Sequence, residues 1–550
     1  MAVELCKISL WMEALDPGKP LTFLDHHIQC GNSLLGCTPE LLENGIPDAA
    51  FTPLTGDDKS VCARYKKLNR DESKGDVIDI FSSEGEDWLS KRELRPGFDT
   101  VNQMADDDFQ SLQAKERGYA DFIQSPQYQN AKFIHDAWCA AFMWIKDGAS
   151  QRPEPITHGI MERIKSNPET VNNAIKQEVA RLAKQYRFFH WHLAFPDVFP
   201  DTVSPPRHLA TSPSPQTATS PSRHLANFPS GFDCVLGNPP WDMIEKKDND
   251  TDIKISEMAH TQHFISASGR YPLTSGNRKN LFAIFVELTL GLITSEGRCG
   301  LVVPTAIVTD NPTELLSKHL IKDKLLISLY DFENRGNDYR EKFFDSVHPQ
   351  YKISLITIAG HPLSTNARFG FYLNDLHAIK NEYFIWQLGF EEIQEVSKTR
   401  FSVPNFKNKI DALLYVKIAQ TSTTLHDLNH IIKSRLFYNF DTASKRVKIR
   451  YDSIESLESY IVVYEGEYFH TFDHRFATQA NQAVRATTSL EKKDPYFRSN
   501  TLYWAREADV QKRWIELAGF YPQWYVALRR QASTTNETTS VMSSLTSRMG

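Results

Sequence analysis

The chain has 550 residues, of which 24% are charged and 41% are hydrophobic, and its formal net charge is −6. Such a composition is typical of a globular protein of about two to four domains, and the charge excludes a chain that is basic throughout, so any nucleic-acid contact must come from local patches. Seven scattered cysteines without a C-x-x-C pair favour reduced thiols in a cytoplasmic protein over a disulfide framework or a zinc site. The sequence contains no run of about 18 apolar residues, so no membrane span is predicted.

The N-terminal segment begins with apolar residues at helical spacing in "AVELCKISLWMEAL" (2–15), which predicts a helix that ends at "DPG" (16–18). The next stretch, "LTFLDHHIQCGNSLLG" (21–36), predicts a strand over residues 22–28 and a turn at Gly31–Asn32. A chain that opens inside a well-formed helix suggests that a segment upstream is missing. A genuine N-terminal helix is the alternative, and the spacing alone favours it.

A long segment of helical character follows. Residues 40–199 show helical patterning with charged faces, as in "VARLAKQYRFFHWHLAF" (179–195). Because this segment is much longer than an ordinary connection between strands, it is predicted to be a helical insertion. Residues 200–230 are rich in Ser, Pro and Thr and contain an imperfect repeat, "PPRHLA" and "PSRHLA". This composition predicts a disordered loop.

An α/β pattern begins after the loop and predicts a core over residues 231–385. The predicted elements are strands at 232–236, 298–304, 324–332 and 352–360, with a helix at 279–293. From about residue 386 the pattern changes to short mixed elements that include a basic stretch, "KSRLFYNFDTASKRVKIRY" (433–451). Residues 386–550 are therefore predicted to form a mixed α+β region.

The stretch "GFDCVLGNPPWD" (231–242) places polar and aromatic groups directly after a strand. Its apolar run is of the type that fills a parallel sheet, and Gly237 with two prolines ends it, because proline can neither donate to a ladder nor continue at once into a helix. Asn238 and Trp241 should thus lie at the carboxyl edge of the sheet, where ligands bind in open α/β folds.

This turn has the chemistry to hold an amine. The Asn238 side chain and the main-chain carbonyls of Pro239 and Pro240 offer acceptors side by side, which suits a planar NH2 group with two donors. Trp241 can stack on the ring that carries the amine. The sequence of the turn alone fits equally well a plain strand exit with a packing Trp.

The turn and its surroundings resemble one class of enzymes. "FDCVLGNPPW" resembles the catalytic motif (D/N/S)-P-P-(Y/F/W) of amino-group methyltransferases that use S-adenosylmethionine. Further blocks are similar, in order, to segments of large adenine-specific DNA methylases of the Type IIG restriction–modification group and of related phage-defence methylases. These blocks are "AVELCKISLW", "LTFLDHHIQCGNSLLG", "FHWHLAFPDVF", "NLFAIFVELTLGLI", "GRCGLVVPTAIVTD", "FFDSVHPQYKISLITI", "YEGEYFHTFDHRFA" and "ALRRQASTTNETT".

The resemblance implies a fold, a reaction and partners. The fold is a Rossmann-like α/β sheet, and the reaction transfers a methyl group from S-adenosylmethionine to the N6 amine of an adenine flipped out of double-stranded DNA. Other subunits of a restriction or defence system are further implied partners. Within the catalytic motif Asn238–Trp241, Asn238 and the Pro239 carbonyl would accept hydrogen bonds from the amine, and Trp241 would stack on the base.

Two more positions take roles from the resemblance. Phe344 matches the aromatic residue that closes the other face of the base, although a core Phe or the adjacent Phe343 are alternatives. Asn32 matches the position near the adenine of the cofactor, and a plain turn Asn is almost as good an interpretation. His26, His27, His190 and His192 are interpreted as structural, since neither pair has i,i+4 spacing or an acidic partner in register, and no metal site is predicted.

The chain also departs from the family pattern. Neither the Gly-rich cofactor loop (FxGxG type) nor the acidic residue that binds the cofactor ribose is found. Residues 1–39 are therefore expected to be the remnant of a core that lacks its first two strands, and 386–550 to be the truncated start of a target-recognition region. A non-catalytic fragment that at most binds DNA stays an alternative, as does an NPPW methylase that acts on RNA or on protein glutamine.

Overall fold

The computed structural model describes residues 1–14, 20, 22–75, 94–149, 151–199, 231–245, 251–276, 278–334, 342–345, 348, 351–397 and 400–422, and beyond these only short segments between 449 and 547. The predicted loop at 200–230 lies outside the described residues, as does the basic stretch up to residue 448. The chain divides into two compact units, residues 1–422 and 423–550, which are described separately.

The first part of unit one is helical. Its helices are α1 (Ala2–Glu13), α2 (Pro39–Glu43), α3 (Lys59–Ser73), α4 (Arg95–Gln103), α5 (Phe109–Gln124), α6 (Pro126–Met143), α7 (His158–Ser166), α8 (Asn173–Tyr186) and α9 (Trp191–Ala194). Capping side chains explain several starts: the Asp108 carboxylate accepts from the main chain at the start of α5, and Ser125 caps α6, whose first residue is a proline. Helices α3 to α9 lie within the segment with helical patterning (40–199), while its boundaries as an insertion stay a prediction.

Helix α6 forms the centre of the helical part. Its last ten residues, 134–143, are all buried, and the Trp138 indole N–H donates to the Gly45 carbonyl at 2.9 Å. A helix that is covered on every side in this way belongs to the interior of a large domain. The surrounding core includes Phe51, Phe142 and Phe264.

The strand expected at residues 22–28 is wrong. The segment forms turns, with hydrogen bonds from His27 and Ile28 to the Leu24 carbonyl at 3.0 and 2.9 Å. Its alternating pattern reflects aromatic packing: the Phe23 ring lies 5.4 Å from His26 and 5.8 Å from Tyr119 of α5. Apolar alternation predicts a strand only where a neighbouring strand offers a ladder, and here the partner is a helix.

The second part of unit one is built around a six-stranded mixed sheet. Its strands are β1 (Phe232–Gly237), β2 (Ile293–Pro304), β3 (Leu326–Glu333), β4 (Lys352–Ala359), β5 (Arg368–Leu373) and β6 (Trp386–Gln387), in the order β1-β2-β4-β3-β5-β6. The pairs β1–β2 and β3–β5 are parallel, and β4 is antiparallel to both of its neighbours. The expected α/β class is confirmed, and all four predicted core strands form.

The described residues after β1 in unit one form six further helices: α10 (Asp252–Ala267), α11 (Leu281–Leu290), α12 (Ala306–Thr309), α13 (Glu314–Lys322), α14 (Phe390–Val396) and α15 (Lys409–Thr421). Helix α10 belongs to the helical core, into which Phe264 and Ile265 pack. Helix α11, predicted from its apolar run, joins the two cores. Ile284 and Leu288 pack into the helical core, whereas Phe282 and Val286 pack into the sheet core. A helix with apolar residues on all sides can serve both cores at once.

The expectation of a buried β1 is wrong. Asp233 and Cys234 are exposed, and Leu236 is 78% exposed. Among the described residues, β1 forms a ladder with β2 alone, so it is an edge strand. An apolar run predicts a strand correctly, but its burial depends on neighbours that come from elsewhere in the chain.

Unit two contains short elements. A three-stranded antiparallel sheet has the order β7 (Ile449–Arg450), β11 (Tyr503–Arg506), β8 (Tyr460–Val462). The strands β9 (Ala477–Ala480) and β10 (Ala483–Ala486) form one antiparallel pair, and β12 (Trp524–Leu528) with β13 (Ser543–Ser547) forms another. Helices α16 (Ser489–Lys493) and α17 (Glu507–Ala518) complete the described part. Its role in target recognition stays a prediction.

Within the part of the chain that the structure describes, no helix combines the length and the apolar character that crossing a membrane requires.

A buried histidine cluster lies between α6 and the segment around α9. His190 Nε2 lies 3.0 Å from Asp136 Oδ1, and the Cys37 main-chain N–H donates to His190 Nδ1. His192 contacts His135, with 3.0 Å between their Nε2 atoms. His190 thus has an acidic partner that lies 54 residues away in sequence, which local spacing could not reveal.

Acid should destabilise the protein through its buried histidines. Burial lowers the pKa of His26 and His263 to about 4 and that of His135 to about 3. Since these groups have a pKa of about 6.5 in an unfolded chain, only the unfolded state takes up their protons as the pH falls from 6.5. The free energy of unfolding should thus decrease from pH 6.5 towards 4, by at most about 1.4 kcal/mol per pH unit for each histidine.

Urea unfolding at pH 7, 6 and 5 tests this with His135→Asn as the comparison. The Asn side chain keeps a donor for the Ala131 carbonyl, which the His135 Nδ1 contacts at 2.7 Å, but it does not titrate. The decrease between pH 6 and 5 should be smaller in the variant by about 1 kcal/mol. Burial raises the pKa of Glu287 to about 7, so this group increases the free energy of unfolding as the pH falls. It does so equally in the parent and in the variant. Equal decreases in variant and parent would contradict the prediction.

Candidate active site

The NPPW turn lies at the carboxyl end of β1, beside β2. Asn238 and Pro240 are exposed, Pro239 is buried and Trp241 is half-buried. The Trp241 indole N–H donates to the Val302 carbonyl of β2 at 3.2 Å, and the ring packs against the sheet core. The turn therefore presents the Asn238 side chain to solvent while β2 holds the aromatic ring in place.

Phe344 reaches the same place from the segment after β3. Its ring centroid lies 6.4 Å from that of Trp241, with an angle of 77° between the rings. Phe343 instead packs against Phe332 of β3, at 5.4 Å. Of the two candidate aromatics, Phe344 is thus the one whose ring pairs with Trp241.

The geometry of this pair limits how a base could bind. A ring stacked between two parallel rings needs about 7 Å between them, twice the optimal carbon contact of about 3.5 Å. Trp241 and Phe344 are nearly perpendicular and closer than this. A base that stacks on Trp241 would therefore meet Phe344 at an angle, or the Phe344 ring would have to turn.

Phe344, but not Trp241, lines an apolar cavity of about 120 Å³. The cavity is lined by Val302 of β2 and by Ile353 and Leu355 of β4, together with Phe343 and Phe344. Ligand pockets usually have about 300–1,000 Å³, so this cavity is of a size for part of one ring system.

Asn32 lies at a second, larger cavity of about 430 Å³. Its main-chain N–H donates to the Arg187 carbonyl at 2.7 Å, and its side-chain oxygen accepts from the Leu34 N–H at 3.3 Å. Asn32 therefore stabilises its own turn, as the plain turn interpretation expects, and it also lines a cavity. Its place near the adenine of the cofactor stays a prediction.

Residues that the sequence did not single out line the second cavity as well. They include Glu257 of α10 and Phe285 of α11, together with Arg187, whose φ of 54° places it in the left-handed region. Glu257 accepts a hydrogen bond from Gln185 at 2.9 Å. No local motif marks these residues, because three separate segments bring them together. The cavity differs in its lining from that beside Trp241, so the structure does not bring Asn32 and the NPPW turn into one pocket.

Comparisons with known proteins identify a family for the chain. The family model of the Eco57I restriction-modification methylase matches residues 1–337, which include the NPPW turn. No curated protein matches the chain. Among solved structures, the methyltransferase subunit of a type I restriction-modification system from Streptococcus thermophilus shares 13% identity over 63% of this chain and 80% of its own, with a TM-score of 0.23.

Two further structures are similar over smaller shares of their own chains. The type IIG restriction endonuclease BpuSI shares 14% identity over 60% of this chain and 41% of its own, with a TM-score of 0.20. The DrdV chain, solved as a DNA complex, shares 15% identity over 37% of this chain and 17% of its own, also with a TM-score of 0.20. Since the family model covers more than half of the sequence, the chain belongs to the Eco57I family of restriction-modification methylases.

Proposed function

We propose that the chain methylates the N6 amine of an adenine flipped out of double-stranded DNA, as part of a restriction–modification or phage-defence system. The observation that carries this proposal is the exposed Asn238, at the carboxyl end of β1, beside a Trp241 ring that β2 holds in place. In a methylase, this arrangement offers hydrogen-bond acceptors next to a stacking surface, which is what an aromatic amine requires.

The acceptors of the turn would act on the amine. The Asn238 side-chain oxygen and the Pro239 carbonyl would accept its two hydrogens and orient the nitrogen lone pair. Because the amine gains positive charge as the new N–C bond forms, these hydrogen bonds strengthen in the transition state. Pro239 and Pro240 have no main-chain N–H, so they cannot donate into the ladder of a further strand.

The larger cavity is proposed for the adenosine part of the methyl donor, S-adenosylmethionine, whose methyl group would have to extend to the NPPW turn, since that turn lines neither of the two cavities. It has the volume of an ordinary ligand pocket and combines an amide at Asn32, a carboxylate at Glu257 and the aromatic ring of Phe285. An amide can bind the edge of an adenine, a carboxylate can accept from ribose hydroxyls, and an aromatic ring can cover a base face. When bound, S-adenosylmethionine supplies an electrophilic methyl group.

The partners are proposed on chemical grounds. DNA affinity would come from phosphate contacts of the basic stretch, for which Lys433, Arg435, Lys445, Arg446, Lys448 and Arg450 are candidates. The side chains of these residues lie outside the described part of the chain. Residues 386–550 are proposed as the start of the target-recognition region, and further subunits and a cytoplasmic location complete the proposal.

A methylation assay tests the reaction. Plasmid DNA incubated with the chain and with S-adenosylmethionine that carries a labelled methyl group should gain the label in N6-methyladenine. Label that appears in protein glutamine or in RNA, and never in DNA, would overturn the DNA substrate. Calorimetric titration of the chain with S-adenosylmethionine tests the alternative of a non-catalytic fragment: micromolar binding, about −8 kcal/mol, would contradict that alternative.

The two neighbouring aromatics should differ in importance for the reaction. Phe344→Leu removes the ring beside Trp241, and we expect it to raise the KM for DNA by about 5- to 150-fold, since a base–aromatic contact contributes about 1–3 kcal/mol. Phe343→Leu, the matched control, removes a ring that packs on Phe332 and should change the KM much less. Steady-state methylation kinetics of both variants decide. A larger effect of Phe343→Leu would assign the contact to the other residue.

A further inference from the structure

Asn334 follows β3 directly and is completely buried. Its side-chain amide donates to the Phe344 carbonyl at 2.9 Å, and its side-chain oxygen accepts from the Phe344 N–H at 3.0 Å. Two residues opposite each other in an antiparallel ladder exchange hydrogen bonds in the same way. One side chain thus replaces a strand residue and fixes the main chain of Phe344, ten positions further along the chain.

The rings of Trp241 and Phe344, of which Phe344 lines the apolar cavity, are therefore anchored independently. Trp241 is held by the Val302 carbonyl of β2, and Phe344 is held by Asn334 at the end of β3. In the sheet, β2 and β3 lie on either side of β4, and Ile353 and Leu355 of β4 line the cavity. Since a fixed main chain limits a side chain to a few staggered rotamers, the amide of Asn334 determines where the Phe344 ring can lie.

We infer that Asn334 is a positioning residue, whose amide holds the Phe344 ring against Trp241 for the capture of the flipped base. The placement of the ring is independent of any reaction, whereas its consequence for catalysis rests on the proposed function. In this role Asn334 acts through the main chain of Phe344.

The amide is the chemical group that this position requires. Aspartate has the same shape and keeps an acceptor for the Phe344 N–H, but its second oxygen would face the Phe344 carbonyl without a proton between them. Alanine removes both hydrogen bonds. We therefore expect a graded effect, in which Asn334→Asp loosens the Phe344 ring and Asn334→Ala releases it further.

Fluorine NMR on the full chain tests the placement, with 4-fluorophenylalanine introduced at position 344. In the parent protein, one resonance should appear, shifted by the neighbouring indole ring, and Trp241→Leu should remove that shift. Asn334→Ala should move the resonance towards its position in the urea-unfolded chain, and Asn334→Asp should move it part of the way. An unchanged resonance in a folded Asn334 variant overturns the inference. If Asn334→Ala does not fold, Asn334→Asp decides.

Asn69→Ala is the matched control. Asn69 is also buried, and it also fixes the main chain through both ends of its amide: it donates to the Ile46 carbonyl at 3.0 Å and accepts from the His158 N–H at 2.8 Å. All these contacts lie within the helical part, so its loss should destabilise the protein and leave the resonance at position 344 in place. A similar shift in Asn69→Ala would show that general loosening moves Phe344, which overturns a specific role for Asn334.

Methylation kinetics separate this inference from the proposed function. If the parent methylates DNA, Asn334→Ala should lower kcat/KM by about ten- to a hundredfold, since small misplacements of a positioning group cost up to about 10²-fold. The kcat/KM of Asn334→Asp should lie between those of Asn334→Ala and the parent. Unchanged kinetics with a shifted resonance would refute the catalytic part alone. A parent without methylation activity would refute the proposed function, and the NMR result would still decide the placement of Phe344.

Discussion

Asn238→Ala is expected to lower kcat for methyl transfer by about 10²-fold or more. The loss of one preorganised polar group at a reacting centre typically raises the barrier by about 2.7–4 kcal/mol. In the proposed function, the hydrogen bond from the amine to Asn238 would strengthen as the amine gains charge, so it would act on turnover more than on binding. DNA affinity should change little, because phosphate contacts elsewhere dominate it.

The structure makes this variant informative. Asn238 is exposed, so its truncation should not unfold the protein, and a fall in activity can be assigned to chemistry. Asn311→Ala is a matched control, because Asn311 is likewise exposed and precedes a proline. Asn238→Asp and Asn238→Ser keep an acceptor and should retain more activity than Asn238→Ala.

Labelled methyl transfer and a DNA-binding titration, carried out on the same preparations, measure both quantities. Activity at the parental rate in Asn238→Ala would mean that the turn is a packing element at the end of β1, and that the amine is held elsewhere. Equal losses in Asn238→Ala and Asn311→Ala would indicate a general effect of surface substitution.

The features that local rules govern could be predicted from the sequence. The strands β1 to β4 and helix α11 form at apolar runs of the right length. The NPPW turn ends β1 because two prolines after a glycine can neither continue the strand ladder nor start a helix at once. The position of Asn238 at the carboxyl edge follows from those elements alone. In contrast, the importance of Phe344 came from resemblance, and its distinction from Phe343 came from the pairing of rings in the folded chain.

Features that depend on distant partners could not be predicted. The segment at 22–28 alternates like a strand, but its rings pack on α5, and no local signal distinguishes the two outcomes. His190 finds its acidic partner in Asp136 of α6, and Glu257 reaches the cavity of Asn32 because α10 and the turn converge there. The bonds of Asn334 to Phe344 join residues ten positions apart, which neither helical nor strand periodicity reveals.

Trp241→Ala should impair both base capture and turnover. Loss of a stacking face costs about 1–3 kcal/mol per base, so we expect the KM for DNA to rise by about 5- to 150-fold and kcat to fall as the amine loses its orientation. The half-buried ring also packs on the sheet core, so some stability should be lost. Trp241→Phe keeps an aromatic face and should retain most of the activity, although it leaves the Val302 carbonyl without its indole donor.

Trp11→Ala provides the control for the loss of a half-buried indole. The Trp11 N–H likewise donates to a main-chain carbonyl, that of Thr22 at 2.8 Å, and the ring is also half-buried. Thermal unfolding and methylation kinetics of the three variants separate packing from capture. If Trp241→Ala and Trp11→Ala lose stability alike but only Trp241→Ala raises the KM, Trp241 binds the base. If Trp241→Phe is as inactive as Trp241→Ala, the hydrogen bond from the Trp241 indole N–H to the Val302 carbonyl of β2 matters more than the aromatic face. Stacking is then not the role of this residue.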